Sequence, residues 1–186
     1  MDRYLEAVFD EYGGADAFFR ESDAHLAHFN ETWLQDIELV GRILRAHLVV
    51  EHFLTEYLEA CNPKLPSLRK AGLTFDQKVR LLSNDDAAIN SAIPGIRRLN
   101  QIRNRIAHNL ALELTTEDRS AFLGVQFFSA LRREKQKRGM SVGEDPIDVL
   151  EDFSKLAASW LQSGANGSSE KLTRAISRAA KQDDDR

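Results

Sequence analysis

The chain has 186 residues, a formal net charge of −4 and one cysteine, Cys61, which excludes an intrachain disulfide and, with the histidines scattered, argues against a zinc site. This length buries a core without staples, and a mildly acidic chain must draw any nucleic-acid binding from local basic patches. No apolar run suits a signal peptide or a membrane helix, so the expectation is a cytoplasmic protein with no membrane partner.

In chain order, Tyr4, Leu5, Val8, Phe9, Phe18, Phe19, Leu26 and Phe29 fall on either side of Gly13-Gly14 and predict two short amphipathic helices around a turn. Asp36 to about Ala60 is the strongest helix, with Ile37, Val40, Leu44, Leu48, Thr55 and Leu58 on one stripe. Glu51 lies ~20° and His47 ~60° from the centre of that stripe, so the carboxylate needs a partner. Two readings stand: Glu51 pairs with an equally misplaced Arg103, or the helix buries the arc of Ile43, Val50, Leu54 and Tyr57 and Glu51 faces solvent.

Beyond Asn62-Pro63 a loop runs to Gly72, and Thr74 with Gln77 reads as a capping box opening a helix through Val79, Leu81 and Leu82. Ser83 to Asp86 interrupts, and Pro94 suits the first turn of the next helix, whose core stripe is Ile96, Leu99, Ile102, Ile106 and Leu110. Thr115 or Thr116 caps a helix through Phe122, Val125, Phe127, Phe128 and Leu131. After a break at Gly139 to Asp145, Pro146 starts a helix through Ile147, Leu150, Phe153, Leu156, Trp160 and Leu161. Gly164 to Ser169 reads as a flexible linker, followed by a basic amphipathic tail with Lys171, Arg174, Arg178 and Lys181. The expected architecture is all-α: an up-and-down bundle over 31–163, an N-terminal helical extension over 1–30 and a detachable tail over 164–186.

The stretch from Leu99 to Asn109 carries the chemistry. Arg103 projects only ~40° from Leu99, on the core-facing side, while Asn104 and His108 are four apart, so that the amide can orient the imidazole. Arg103 and His108 are ~7.5 Å of rise and ~140° of rotation apart, and converge only through the length of Arg, a fraying helix end or a second copy of the chain. Phosphate loops, dinucleotide fingerprints, nucleophile elbows and zinc-protease motifs are absent, and no cofactor is expected. An Arg and a His flanked by amides suit metal-independent phosphodiester chemistry, with His moving a proton and Arg neutralising the phosphate. The run Arg132-Arg133-Glu134-Lys135-Gln136-Lys137-Arg138 is explained by a solvated helix C-terminus or by phosphate contacts.

Arg103-Asn104-Arg105-Ile106-Ala107-His108 resembles the signature of the HEPN superfamily, an Arg, usually with a polar neighbour, and a His after four to six intervening residues, near the end of a bundle helix. The preceding order of Arg45 to Leu54 on the long helix, Phe75 to Leu82, then Leu99-Asn100 adds to the likeness, which covers roughly residues 36–116. The resemblance implies a helical bundle that dimerises so that two motifs share one cleft. Active members are metal-independent endoribonucleases leaving cyclic phosphate ends, recurring as toxins and phage-defence effectors. Others are inactive regulators or binding modules, and mannitol-repressor-like proteins share a related pattern. On this reading Arg103, His108 and Asn104 are catalytic, Glu51, His47 and Asn100 support them, and Arg105, Arg132, Arg133, Lys135 and Arg138 hold RNA. The partners are a second copy, RNA and an antitoxin or defence-system protein. The competing expectation is a regulatory or binding protein using the same bundle as a platform.

Overall fold

The computed structural model describes residues 2–33, 37–64, 67–82, 86–108 and 113–184. The chain is all-helical, with no strand among the described residues, and divides into two compact units at Ile37/Glu38.

The first unit holds α1 (Arg3–Glu11) and α2 (Ala15–Trp33). Asp2 caps α1 by accepting the Tyr4 backbone N–H at 2.9 Å. Gly13 and Gly14 both take positive φ, which turns the chain back so that Phe9 meets Phe18 with ring centroids 5.4 Å apart. The turn falls where the sequence puts it, but α2 is no short helix: nothing between Ala15 and Trp33 breaks it.

The second unit comprises α3 (Ile37–Cys61, whose first residue lies at the division), α4 (Phe75–Arg80), α5 (Ala87–His108), α6 (Thr116–Leu123), α7 (Gln126–Lys137), α8 (Pro146–Ala165) and α9 (Glu170–Asp184). Its organising element is α5, which packs against α4, α6, α8 and α9 and sinks Ile96, Leu99 and Ile102 completely. α8 contributes Val149, Leu150 and Phe153 to the same core. Gly95 permits the closest approach, since a methyl group there would overlap the Phe153 ring.

α3 buries Ile43, Val50, Leu54 and Tyr57, while Leu44 and Leu48 of the first-choice stripe stay exposed. The rotation of the helix is fixed by partners remote in sequence. Arg42 bonds Asp148 at 2.8 Å and Glu151 at 3.0 Å on α8; these bonds raise its pKa and hold the Glu151 carboxyl below the usual range.

Both capping boxes form, at Thr74–Gln77 and at Thr115–Asp118. The helix expected from Thr115 to Leu131 is two helices, α6 and α7, broken at Gly124 and Val125. α5 begins at Ala87 rather than near Pro94, which lies inside it. Asp86 supplies the reason: its buried carboxylate accepts the backbone N–H groups of Ala88 at 3.0 Å and Ile89 at 3.2 Å. The same carboxylate accepts the hydroxyls of Ser169 at 3.1 Å and Thr173 at 2.9 Å, clamping the start of α9 to the start of α5. The tail is thus docked, with Leu172 and Ile176 against the core. The segment read as a flexible linker is the end of α8 and a tight turn, with Gly167 at φ +68° and the Ser168 N–H on the Ser163 carbonyl at 2.9 Å.

Gly95→Ala is expected to destabilise the second unit by about 1–3 kcal/mol through overpacking, and Phe153→Leu in the same chain to restore part of the loss. Urea melts of the two variants check this; an unchanged midpoint for Gly95→Ala would contradict the packing.

Candidate functional site

α5 spends two of its arginines on one carboxylate. Arg98 donates to Asp118 Oδ1 at 2.8 Å and Arg105 to Oδ2 at 2.6 Å, and the Asp118 side chain is only 1% exposed. Burial pushes that carboxyl up, but the Arg105 bond and the Thr115 backbone N–H outweigh it and hold Asp118 below its ordinary value.

Arg103 is exposed, correcting its placement on the core-facing line. The last fully buried residue of the stripe is Ile102; beyond it Ile106 is half-buried against the edge of the core, Arg105 is held by Asp118, and Arg103 and Ala107 face solvent. The Arg103 guanidinium donates to Asn104 Oδ1 at 3.2 Å and has no carboxylate partner among the described residues. His108 is the last residue of α5; its imidazole lies outside the described residues, as do Asn109 and Leu110.

Glu51 does not reach Arg103. Its carboxylate accepts from Lys78 Nζ of α4 at 2.7 Å, and Lys78 is the more buried partner, at 11% side-chain exposure against 28%. Sequence reading missed Lys78, although the Thr74 cap sets Phe75, Lys78 and Val79 at the spacing of one buried face.

His47 sits beside this pair. Its ring packs on Phe75 with centroids 4.3 Å apart, Nε2 donates to Asn100 Oδ1 at 3.3 Å, and Nδ1 is 3.9 Å from Glu51. Burial lowers its pKa and the positive charges of Arg103 and Lys78 add to that, against the opposing pull of Asn100 and Glu51. The arrangement therefore brings together His47, Asn100, Glu51 and Lys78, with Arg103 within electrostatic reach. It supports a neutral imidazole beside an exposed cation, not a buried Arg–Glu pair.

The basic run of α7 splits. Arg132 is buried, bonded to Asp152 at 2.5 Å and to the Gly143 carbonyl, with its guanidinium 5.6 Å from the Phe128 ring centroid; it holds the fold and cannot meet RNA there. Arg105, neutralised by Asp118, leaves the same set. Arg133 and Arg138 are exposed, the latter paired with Glu134 at 2.9 Å, and Lys135 is half-buried. Among the described residues no cluster of His, Cys, Asp and Glu is placed to hold a metal ion, and no helix is long and apolar enough to cross a membrane.

Glu51→Leu alone strands the buried Lys78 ammonium and is expected to cost about 1–3 kcal/mol, whereas Glu51→Leu with Lys78→Met recovers most of it. A double-mutant cycle by chemical denaturation checks this; additive losses would contradict the pair. Because the folded state holds the His47 pKa below its ordinary 6.5, the unfolded chain takes up this proton first. Stability therefore falls as pH drops through about 6.5 and levels off below the folded value. His47→Gln should flatten that slope between about pH 7 and 5; equal slopes for the two proteins would contradict the assignment. No protein-family model, curated protein or solved structure matches this chain, so its function has to be read from these side chains.

Proposed function

We propose that the protein is a metal-independent endoribonuclease of HEPN type, acting as a toxin or phage-defence effector, with the exposed end of α5 as its working surface. The observation that carries this reading is the state of Arg103: a solvent-facing guanidinium with an amide at 3.2 Å and no carboxylate on it among the described residues, on a helix whose Arg98 and Arg105 are taken up by Asp118 and Glu117 and whose other exposed arginine, Arg97, lies nearly two turns back from it. An unpaired guanidinium is free to take a phosphate in bidentate fashion and to stabilise the charge that grows as the 2′-oxygen attacks. His108, five residues on, takes the proton of the 2′-hydroxyl or gives one to the leaving 5′-oxygen. Asn104 orients the guanidinium, and His47 with Asn100 forms the packed wall behind it. The products are a 2′,3′-cyclic phosphate and a 5′-hydroxyl.

One Arg103 and one His108 on a single helix grip a phosphate poorly, so the reading includes a two-fold dimer with a shared cleft. Ile43, Val50, Leu54 and Tyr57 cannot supply that contact, being fully committed to the core. The surplus apolar surface is instead Leu44, Leu48 and Val49 of α3, which with Gly41 and Phe53 line a shallow apolar depression on the helix's outer face. A second copy of the chain is the occupant this mechanism requires.

Purified protein incubated with single-stranded RNA in EDTA should cut it, and His108→Ala or Arg103→Ala should lower the rate by about 10²-fold or more. Equal cleavage by wild type and His108→Ala, or none by wild type freed of any antitoxin, would overturn the reading in favour of a regulatory or binding protein. Leu48→Asp should shift the protein from dimer to monomer in light scattering and reduce cleavage with it; a wild-type monomer at micromolar concentration would refute the shared cleft.

A further inference from the structure

On the side of the second unit where α9 docks, α5, α7 and α9 enclose a cleft of about 1060 Å³, with Pro94, Phe127 and Ile176 among its walls. Apart from Arg133, read from the sequence as one of the RNA-holding cations, its lining has no part in the proposed ribonuclease mechanism. Its volume is just above the roughly 300–1,000 Å³ usual for small-molecule sites, and its lining mixes apolar side chains with polar ones.

One of those polar groups is unsatisfied, and a second is an exposed cation with no acidic partner among the described residues. Asn90 lines the cleft from α5, and its side-chain Oδ1 is buried without a hydrogen-bond partner. A buried acceptor left unpaired is costly, and native structures rarely keep one without a use. Arg133 lines the same cleft from α7; it is exposed and has no acidic partner among the described residues, unlike its neighbour Arg132.

We propose that this cleft binds a small amphipathic aromatic acid: a flat apolar body among Pro94, Phe127 and Ile176, an N–H or O–H donor on the oxygen of Asn90, and an anionic group on Arg133. The occupant is a small molecule rather than a helix because the α9 side of the cleft is already filled by the chain's own tail, fixed through Asp86. Binding buries surface on both α5 and α9 and strengthens the docking of the tail.

The probe is 8-anilinonaphthalene-1-sulfonate, which carries an aromatic body, one N–H and one sulfonate. It should bind the full chain saturably at one site per protomer, with a blue-shifted emission. Arg133→Ala and Asn90→Leu should each weaken binding about five-fold or more, and Ala130→Phe, which fills the cleft, should abolish it while the circular dichroism spectrum stays helical. Met140→Lys, at an exposed apolar position outside the cleft, should leave the affinity unchanged. Absence of saturable binding, indifference to Arg133→Ala and Ala130→Phe, or loss in Met140→Lys alone would overturn the proposal. Because the readout is fluorescence, its failure is separate from any failure of RNA cleavage.

Discussion

The Asp118 carboxylate, buried at the first turn of α6, takes the Arg98 and Arg105 guanidiniums of α5 on its two oxygens and the Thr115 backbone N–H besides. A buried carboxylate is tolerable only when its lone pairs are filled, and here the filling joins two helices and closes a capping box in the same step. It also sorts the cations of α5. Positions 98 and 105 are drawn inward, while positions 97 and 103 stay exposed, 103 at the end of the helix beside His47. What the helix offers to solvent follows from what Asp118 has removed.

The same logic recurs around the bundle. Asp86 opens α5 and anchors α9, Glu151 and Asp148 fix the rotation of α3 through Arg42, and Asp152 holds Arg132. Each is a carboxylate that joins its own helix, or in the case of Asp86 the start of one, to a donor elsewhere in the bundle. Apolar burial supplies the bulk of the driving force, through Ile96, Leu99 and Ile102 against Phe153 and its neighbours, but it leaves helix rotation weakly specified. The ion pairs specify it.

This explains which features were legible in the sequence. Helix starts are local: the capping box at Thr74 and the Gly13-Gly14 turn need only neighbouring residues and stand where the residues place them, while of the two caps offered, Thr115 or Thr116, the structure takes Thr115 and adds a capping box with Asp118. Helix rotation is not local. Leu44 and Leu48 make as good a stripe as Ile43 and Val50 until Arg42 meets Glu151. Likewise Glu51 needs a cation, but periodicity cannot choose between Arg103 and Lys78; only the packing of α4 against α5, beside α3, does so. Asp86 read as part of an interruption because its partners, Ser169 and Thr173, lie more than eighty residues away. At the candidate site the residue types were legible and their environment was not, since the thinning of the core from fully buried Ile102 to half-buried Ile106 leaves no mark in the stripe.

The account turns on Arg103 being the arginine of α5 that meets phosphate. Nitrogen-15 spectra of the arginine side chains, recorded while a 2′-O-methylated and therefore uncleavable RNA oligonucleotide is titrated in, address this directly. The expected result is a saturable shift of the Arg103 Nε–H resonance, with those of Arg98 and Arg105 staying in place on Asp118. A silent Arg103, or shifts confined to Arg98 and Arg105, would contradict it.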